Sequence, residues 1–139
     1  MKKACRVVLV IGICLGLSVA ARVASAAQDV EATPQAKAYR AALKAIAAGD
    51  YDAYKKTLSS ATLKQMEDQT KGKSPKEVMG FVKMMTPTDL TLKSVKVDGA
   101  KATLLASGKM DGQAMDGSIA MADEGGQWKV GQPSWEPAK

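Results

Sequence analysis

This sequence predicts an α+β fold, with N-terminal helices packed on a curved antiparallel four-stranded sheet. Three observations carry that reading. From Leu90 to Trp135, β-type runs are punctuated by Asp98-Gly99, Asp111-Gly112 and Glu124-Gly125-Gly126. Asp-Gly between such runs signals a hairpin, because both residues tolerate the positive φ of a type I′ turn. Within the runs apolar residues alternate: Ala102, Leu104 and Ala106 share one parity, as do Met115, Ile119 and Met121, and Trp128 and Val130. Alternation of this kind describes a sheet with one buried face. Upstream of Leu90 the apolar residues recur at helical spacing instead, and helices grouped before a run of strands give α+β rather than alternating α/β.

The chain has 139 residues, enough for one domain. It opens as a targeting segment. Lys2, Lys3 and Arg6 precede an apolar run from Val7 to Ala21, and Ala24-Ser25-Ala26 fits small-x-small cleavage. Residues 1–26 are therefore expected to be a signal peptide, cut after Ala26. The run is short of the ~18–20 residues that span a bilayer, so no stable membrane anchor is expected after cleavage. Cys14 follows Ile11-Gly12-Ile13, whose bulk does not suit a lipidation motif. The expected location is periplasmic or secreted.

Cleavage would change the chemistry. It would leave 113 of the 139 residues and remove Cys5 and Cys14, both of the chain's cysteines. Lys2, Lys3, Arg6 and Arg22 would go with no acid, lowering the net charge from +6 to +2. That balance gives no basis for nucleic-acid binding. With two Trp, three Tyr and one Phe, the core must be filled mostly by Ala, Met, Leu and Val.

Residues 27–33 read as a flexible polar tether, and residues 34–139 as the domain. Thr33 caps the first helix and Pro34 suits its first position. Tyr39, Leu43 and Ile46 recur on one face with Ala36 and Ala47, while Lys37, Arg40 and Lys44 form a basic stripe on the other. Gly49 ends this helix and Asp50 caps a second, which carries Ala53, Tyr54 and Leu58 inward. Ser59-Ser60 starts a third helix with Leu63 and Met66. Ser74-Pro75-Lys76-Glu77 starts a fourth as a capping box, with Val78, Phe81, Val82 and Met85 as its apolar stripe.

Two parity breaks mark the strands. Leu90 and Leu92 are out of phase with Val95 and Val97, and Trp135 is out of phase with Trp128. A one-residue shift flips the buried face unless a bulge absorbs it, so bulges are expected near Lys93-Ser94 and Gly131-Pro133. We place the middle turn at Asp111-Gly112; the alternative is Asp116-Gly117.

Three stretches then suggest a family. Ile46 to Ser59 (IAAGDYDAYKKTLS), Val97 to Leu104 (VDGAKATL) and Gly126 to Val130 (GQWKV) resemble pieces of nuclear-transport-factor-2-like domains, in that superfamily's order. The chain is similar to small exported bacterial proteins of uncharacterised function within it. The resemblance implies a cone, with a pocket between helices and curved sheet, and a superfamily that often dimerises through its sheet. The superfamily's isomerases, dehydratases and cyclases use Asp, His and Tyr side chains inside the cone. This chain has no histidine.

Without His, and without Cys once cleaved, zinc and copper(II) lack their usual nitrogen and thiolate ligands. No metal, cofactor or catalytic set is expected. Asp50-Tyr51-Asp52 and Asp123-Glu124 read as a cap and a turn, and the methionines as core. For the pocket that the resemblance implies, the lining expected from helical spacing and strand parity is Tyr39, Leu43, Tyr54, Phe81, Met85, Met115, Ile119, Met121 and Trp128. The leading functional expectation is a non-enzymatic exported domain binding a small apolar ligand or a protein partner. One alternative is an enzyme using Tyr39 as hydrogen-bond donor and Asp116 as base. Another is a module that docks a partner through its sheet or through Lys37, Arg40 and Lys44, and a homodimer through the sheet is possible. Trp128 is expected to be the main anchor of the last strand, with Lys129 on the opposite face.

Overall fold

The computed structural model describes residues 29–139. The signal segment, both cysteines and the cleavage point after Ala26 lie outside the described residues.

Each helix begins where a short polar side chain captures a free backbone N–H, the group that a helix cannot satisfy by itself. Helix α1 runs Pro34–Ala48, and the Thr33 hydroxyl accepts from the Ala36 N–H at 3.2 Å. Gly49 closes it at φ 70°, a left-handed conformation that costs glycine little. Asp50 caps α2 (Tyr51–Thr57), and Ser59 caps α3 (Ser60–Gln69). Ser74 and Glu77 form a reciprocal capping box at the start of α4 (Pro75–Met84).

The tether expected up to Thr33 is partly structured. Val30–Ala32 forms a 3-10 turn capped by Asp29, and Glu31 on that turn binds the Arg40 guanidinium through two hydrogen bonds. Thr33 is buried. Arg40 is thus paired, which breaks the expected basic stripe between exposed Lys37 and Lys44. Ala47, expected on the inner face of α1, is exposed; Gln35, Ala42 and Ala45 are buried there.

The sheet is a meander in the order β1 (Thr88–Asp98), β2 (Lys101–Met110), β3 (Gln113–Glu124), β4 (Gln127–Pro137). All three pairings are antiparallel. The middle turn is Asp111-Gly112, both residues with positive φ, and Gly125-Gly126 repeats the pattern. The first turn is displaced by one residue from the expected Asp98-Gly99. Asp98 pairs with Lys101, leaving Gly99-Ala100 as the loop. Gly99 alone of the two has positive φ, as a II′ turn requires.

Both expected bulges are present. Leu92 pairs with Ala106 but Ser94 with Leu105, so Lys93 is the extra residue on β1. Met121 pairs with Val130 but Ile119 with Pro133, which inserts one residue into β4 at Gly131-Gln132. A further irregularity between Thr88 and Thr91 surrounds Asp89, whose φ is 50°. Such insertions bend a strand and increase its twist, giving the sheet its curvature.

The concave face carries the core. Leu104 and Ile119 are its largest fully buried side chains, packed in one cluster with Ala36, Tyr39 and Met121, while Val78 on α4 is also fully buried. Edge strand β4 is partly protected by the α2–α3 linker: the Ser59 N–H donates to the Val130 carbonyl at 2.8 Å, and Leu58 bridges Val130 in parallel.

Candidate functional site

A cavity of about 260 Å³ lies between the helices and the bent half of β4. Helix α1 supplies Tyr39, Ala42, Leu43 and Ile46, one face of a 3.6-residue repeat. Tyr54 enters from α2, and Thr62, Met66 and Gln69 from α3. Helix α4 contributes Val78, Phe81 and Val82, with Met85 just beyond its end. The floor is Val130 through Pro133 with Trp135.

The β4 bulge builds that floor. Without it Trp135 would be out of phase with Val130 and face outward. The extra residue returns Trp135 to the concave side, where its ring lies over Gly117 so closely that a Cβ there would run into it. Gly131 is equally constrained, since its own Cβ would meet the Ala120 carbonyl oxygen at 2.7 Å. Pro133 brings no N–H, which an edge strand tolerates.

The geometry sorts the expected lining residues into two groups. Tyr39, Leu43, Tyr54, Phe81 and Met85 line the cavity together. Met115, Ile119, Met121 and Trp128 do not. Ile119 and Met121 share the concave face but are packed as core beneath the helices. Met115 and Trp128 are half-buried, opposite Gly108 and Asp123. The parity of Trp128 is inward, yet Leu104 and Ile119 anchor the sheet more completely. Sequence reasoning missed Trp135 as lining, although the parity break and expected bulge together held the signal. It also missed Leu58, Val130 and Gln132, which reach the cavity only because the α2–α3 linker meets β4 there.

Phe81 and Met85 are 55% and 51% exposed, so the α4 side of the cavity opens toward solvent. Two phenols line the cavity, Tyr39 buried and Tyr54 half-buried. Burial pushes the Tyr39 hydroxyl up to about 12, with a further rise from nearby Tyr54, and Arg40 opposes the change. Burial also raises Tyr54. Both therefore stay protonated at physiological pH and can donate hydrogen bonds.

The acid–base pair of Tyr39 and Asp116 does not form. Gly117, Ile119 and Met121 face the core, so Asp116 projects from the convex side, where it pairs with Lys93. Tyr39 packs against the concave side. Among the described residues no group of three or more His, Cys, Asp or Glu could hold a metal ion. Also among the described residues, no helix is long and apolar enough to cross a membrane.

Among the described residues, four α-helices over one face of a bent antiparallel sheet make an α+β cone, the architecture that the resemblance in the sequence implies. No family model matches the chain, and no curated protein matches it significantly. Solved structures similar to it include a nuclear-transport-factor-2-like protein of unknown function from Burkholderia xenovorans, at 14% identity over 76% of this chain and 85% of that one, TM-score 0.47. Another of the same description, from Cytophaga hutchinsonii, has 14% identity over 76% of this chain and 91% of that one, TM-score 0.43. A SEC-C motif containing protein from Rhodopseudomonas palustris has 15% identity over 73% of this chain and 77% of that one, TM-score 0.49. Likenesses of this strength say nothing about activity, and the cone is read from the chain's own register.

Proposed function

We propose that this chain is an exported, non-enzymatic binding domain whose cone takes a small apolar ligand. One observation carries the reading: the cavity that α1 and the β4 bulge create is unfilled by the chain's own side chains and lined mainly by apolar groups. Cavities of this make-up are the usual sites for small molecules, and those that take drug-sized ones measure ~300–1,000 Å³. At about 260 Å³ this one suits something smaller. Export is supported by the basic start, apolar run and Ala24-Ser25-Ala26 of the sequence.

Binding of a neutral fluorescent probe, N-phenyl-1-naphthylamine, tests the binding half. Probe emission should rise on mixing with the protein and saturate at one site. Leu43→Trp, which places bulk in the cavity from a half-buried position, should abolish the rise while leaving the melting temperature near wild type. Equal enhancement by the filled variant would locate the probe elsewhere and end this reading.

A further inference from the structure

The chemistry of the cavity wall narrows the ligand further. Charged residues make up 24% of the sequence, yet not one Asp, Glu, Lys or Arg lines the cavity. Its polar side-chain groups are all neutral: the phenols of Tyr39 and Tyr54, the hydroxyls of Thr62, Thr70 and Thr86, the amides of Gln69 and Gln132, and the indole N–H of Trp135. An ionised ligand group placed there would lose its hydration without gaining a counter-charge, which is strongly unfavourable.

The two phenols supply the complementary half of the argument. Tyr39 enters the cavity from α1 and Tyr54 from α2, so both side chains line the same space. Among the described residues neither hydroxyl hydrogen-bonds to another group, and neither is a sealed, unpaired atom. Both O–H groups are thus available to the cavity. A ligand oxygen with two lone pairs can accept from one or both.

Resting on the binding reading above, we propose that the pocket selects an uncharged apolar molecule with a carbonyl-type oxygen, held by the Tyr39 and Tyr54 hydroxyls, and rejects its carboxylate and ammonium counterparts. The apolar remainder of the ligand lies toward Phe81 and Met85, at the solvent-open side of the cavity.

Isothermal titration calorimetry with four probes of one size tests this: octan-2-one, octanoate, octylamine and octane. At neutral pH the ketone should bind most tightly, with the two ions at least about tenfold weaker because each is desolvated without a partner. Acidifying to about pH 4, where more of the octanoate is protonated, should recover part of its affinity. Tyr39→Phe and Tyr54→Phe should each weaken the ketone about fivefold, the usual worth of one neutral hydrogen bond. Neither should weaken octane, which serves as the check that the variants keep the cavity. Octanoate binding as tightly as the ketone at neutral pH would overturn the inference, as would ketone affinity unchanged in both variants. If octane binds and the ketone binds no better, selectivity fails while the apolar pocket stands. If none of the four binds, the binding reading itself falls.

Discussion

At the scale of single residues, Tyr39 shows how position sets chemistry. It is 5% exposed in a cluster of Ala36, Leu104 and Ile119, so its charged form is penalised. A phenol raised in the folded state contributes stability that is complete below the unfolded value of 10.0 and is lost as pH rises toward about 12. Alkaline titration followed by tyrosinate absorbance should therefore show Tyr39 ionising near pH 12 or together with unfolding. A Tyr39 that titrated normally in a folded chain would mean that its hydroxyl is solvated. Large side chains can be ranked by the same logic. Leu104 is wholly buried, and Leu104→Ala should cost about 2–5 kcal/mol. Trp128 is half-buried, and Trp128→Ala should cost less than the ~3–5 kcal/mol of a fully buried large aromatic. Urea unfolding of the two variants would reverse this ranking if Trp128 were the anchor that parity alone suggested. Parity fixes the face on which a side chain lies. It does not say how far the helices extend over that face, so parity alone overrates Trp128 and passes over Trp135.

At the scale of elements, the helix starts were legible because each cap is a local sequence event. Thr33, Asp50, Ser59 and Ser74 all accept the expected backbone N–H. What holds the elements to one another was not legible, because those contacts join residues far apart in sequence. Glu124, on the β3–β4 hairpin, accepts from the Ser60 N–H at 2.9 Å and from its hydroxyl at 2.8 Å, tying the start of α3 to the sheet. Lys129, expected on a free outer face, reaches round the edge strand to donate to the Lys56 carbonyl at 2.7 Å, near the end of α2. The Ser60 contacts hold the Glu124 carboxyl below its ordinary value of 4.5. A carboxylate lowered in this way contributes stability above its unfolded value and loses it as pH falls through the folded one. Hydrogen exchange of the α3 amides, corrected for intrinsic rates, should accelerate in wild type as pH falls below about 4.5. Glu124→Gln should show the faster exchange already at neutral pH, with a smaller acid step. Identical α3 protection in both chains at neutral pH would remove this tie from the account.

For the whole molecule, the order of helices and strands and two bulges follow from periodicity, turn residues and parity breaks that the sequence displays. The cavity follows less directly. Its α1 and α4 walls could be read from helical spacing, but its floor exists because an inserted residue at Gly131-Gln132 turns Trp135 onto Gly117. The consequence is that the chain's two tryptophans report on different places: Trp135 lines the cavity and Trp128 does not. A Trp128→Phe chain therefore carries a single fluorophore at the proposed site. Titrating it with octan-2-one should shift the Trp135 emission saturably, with one equivalent at the endpoint, and Leu43→Trp cannot be used in that background because it adds a second emitter. Emission of Trp135 that stays unchanged up to the solubility limit of the ketone would contradict the claim that this cavity is where the protein binds.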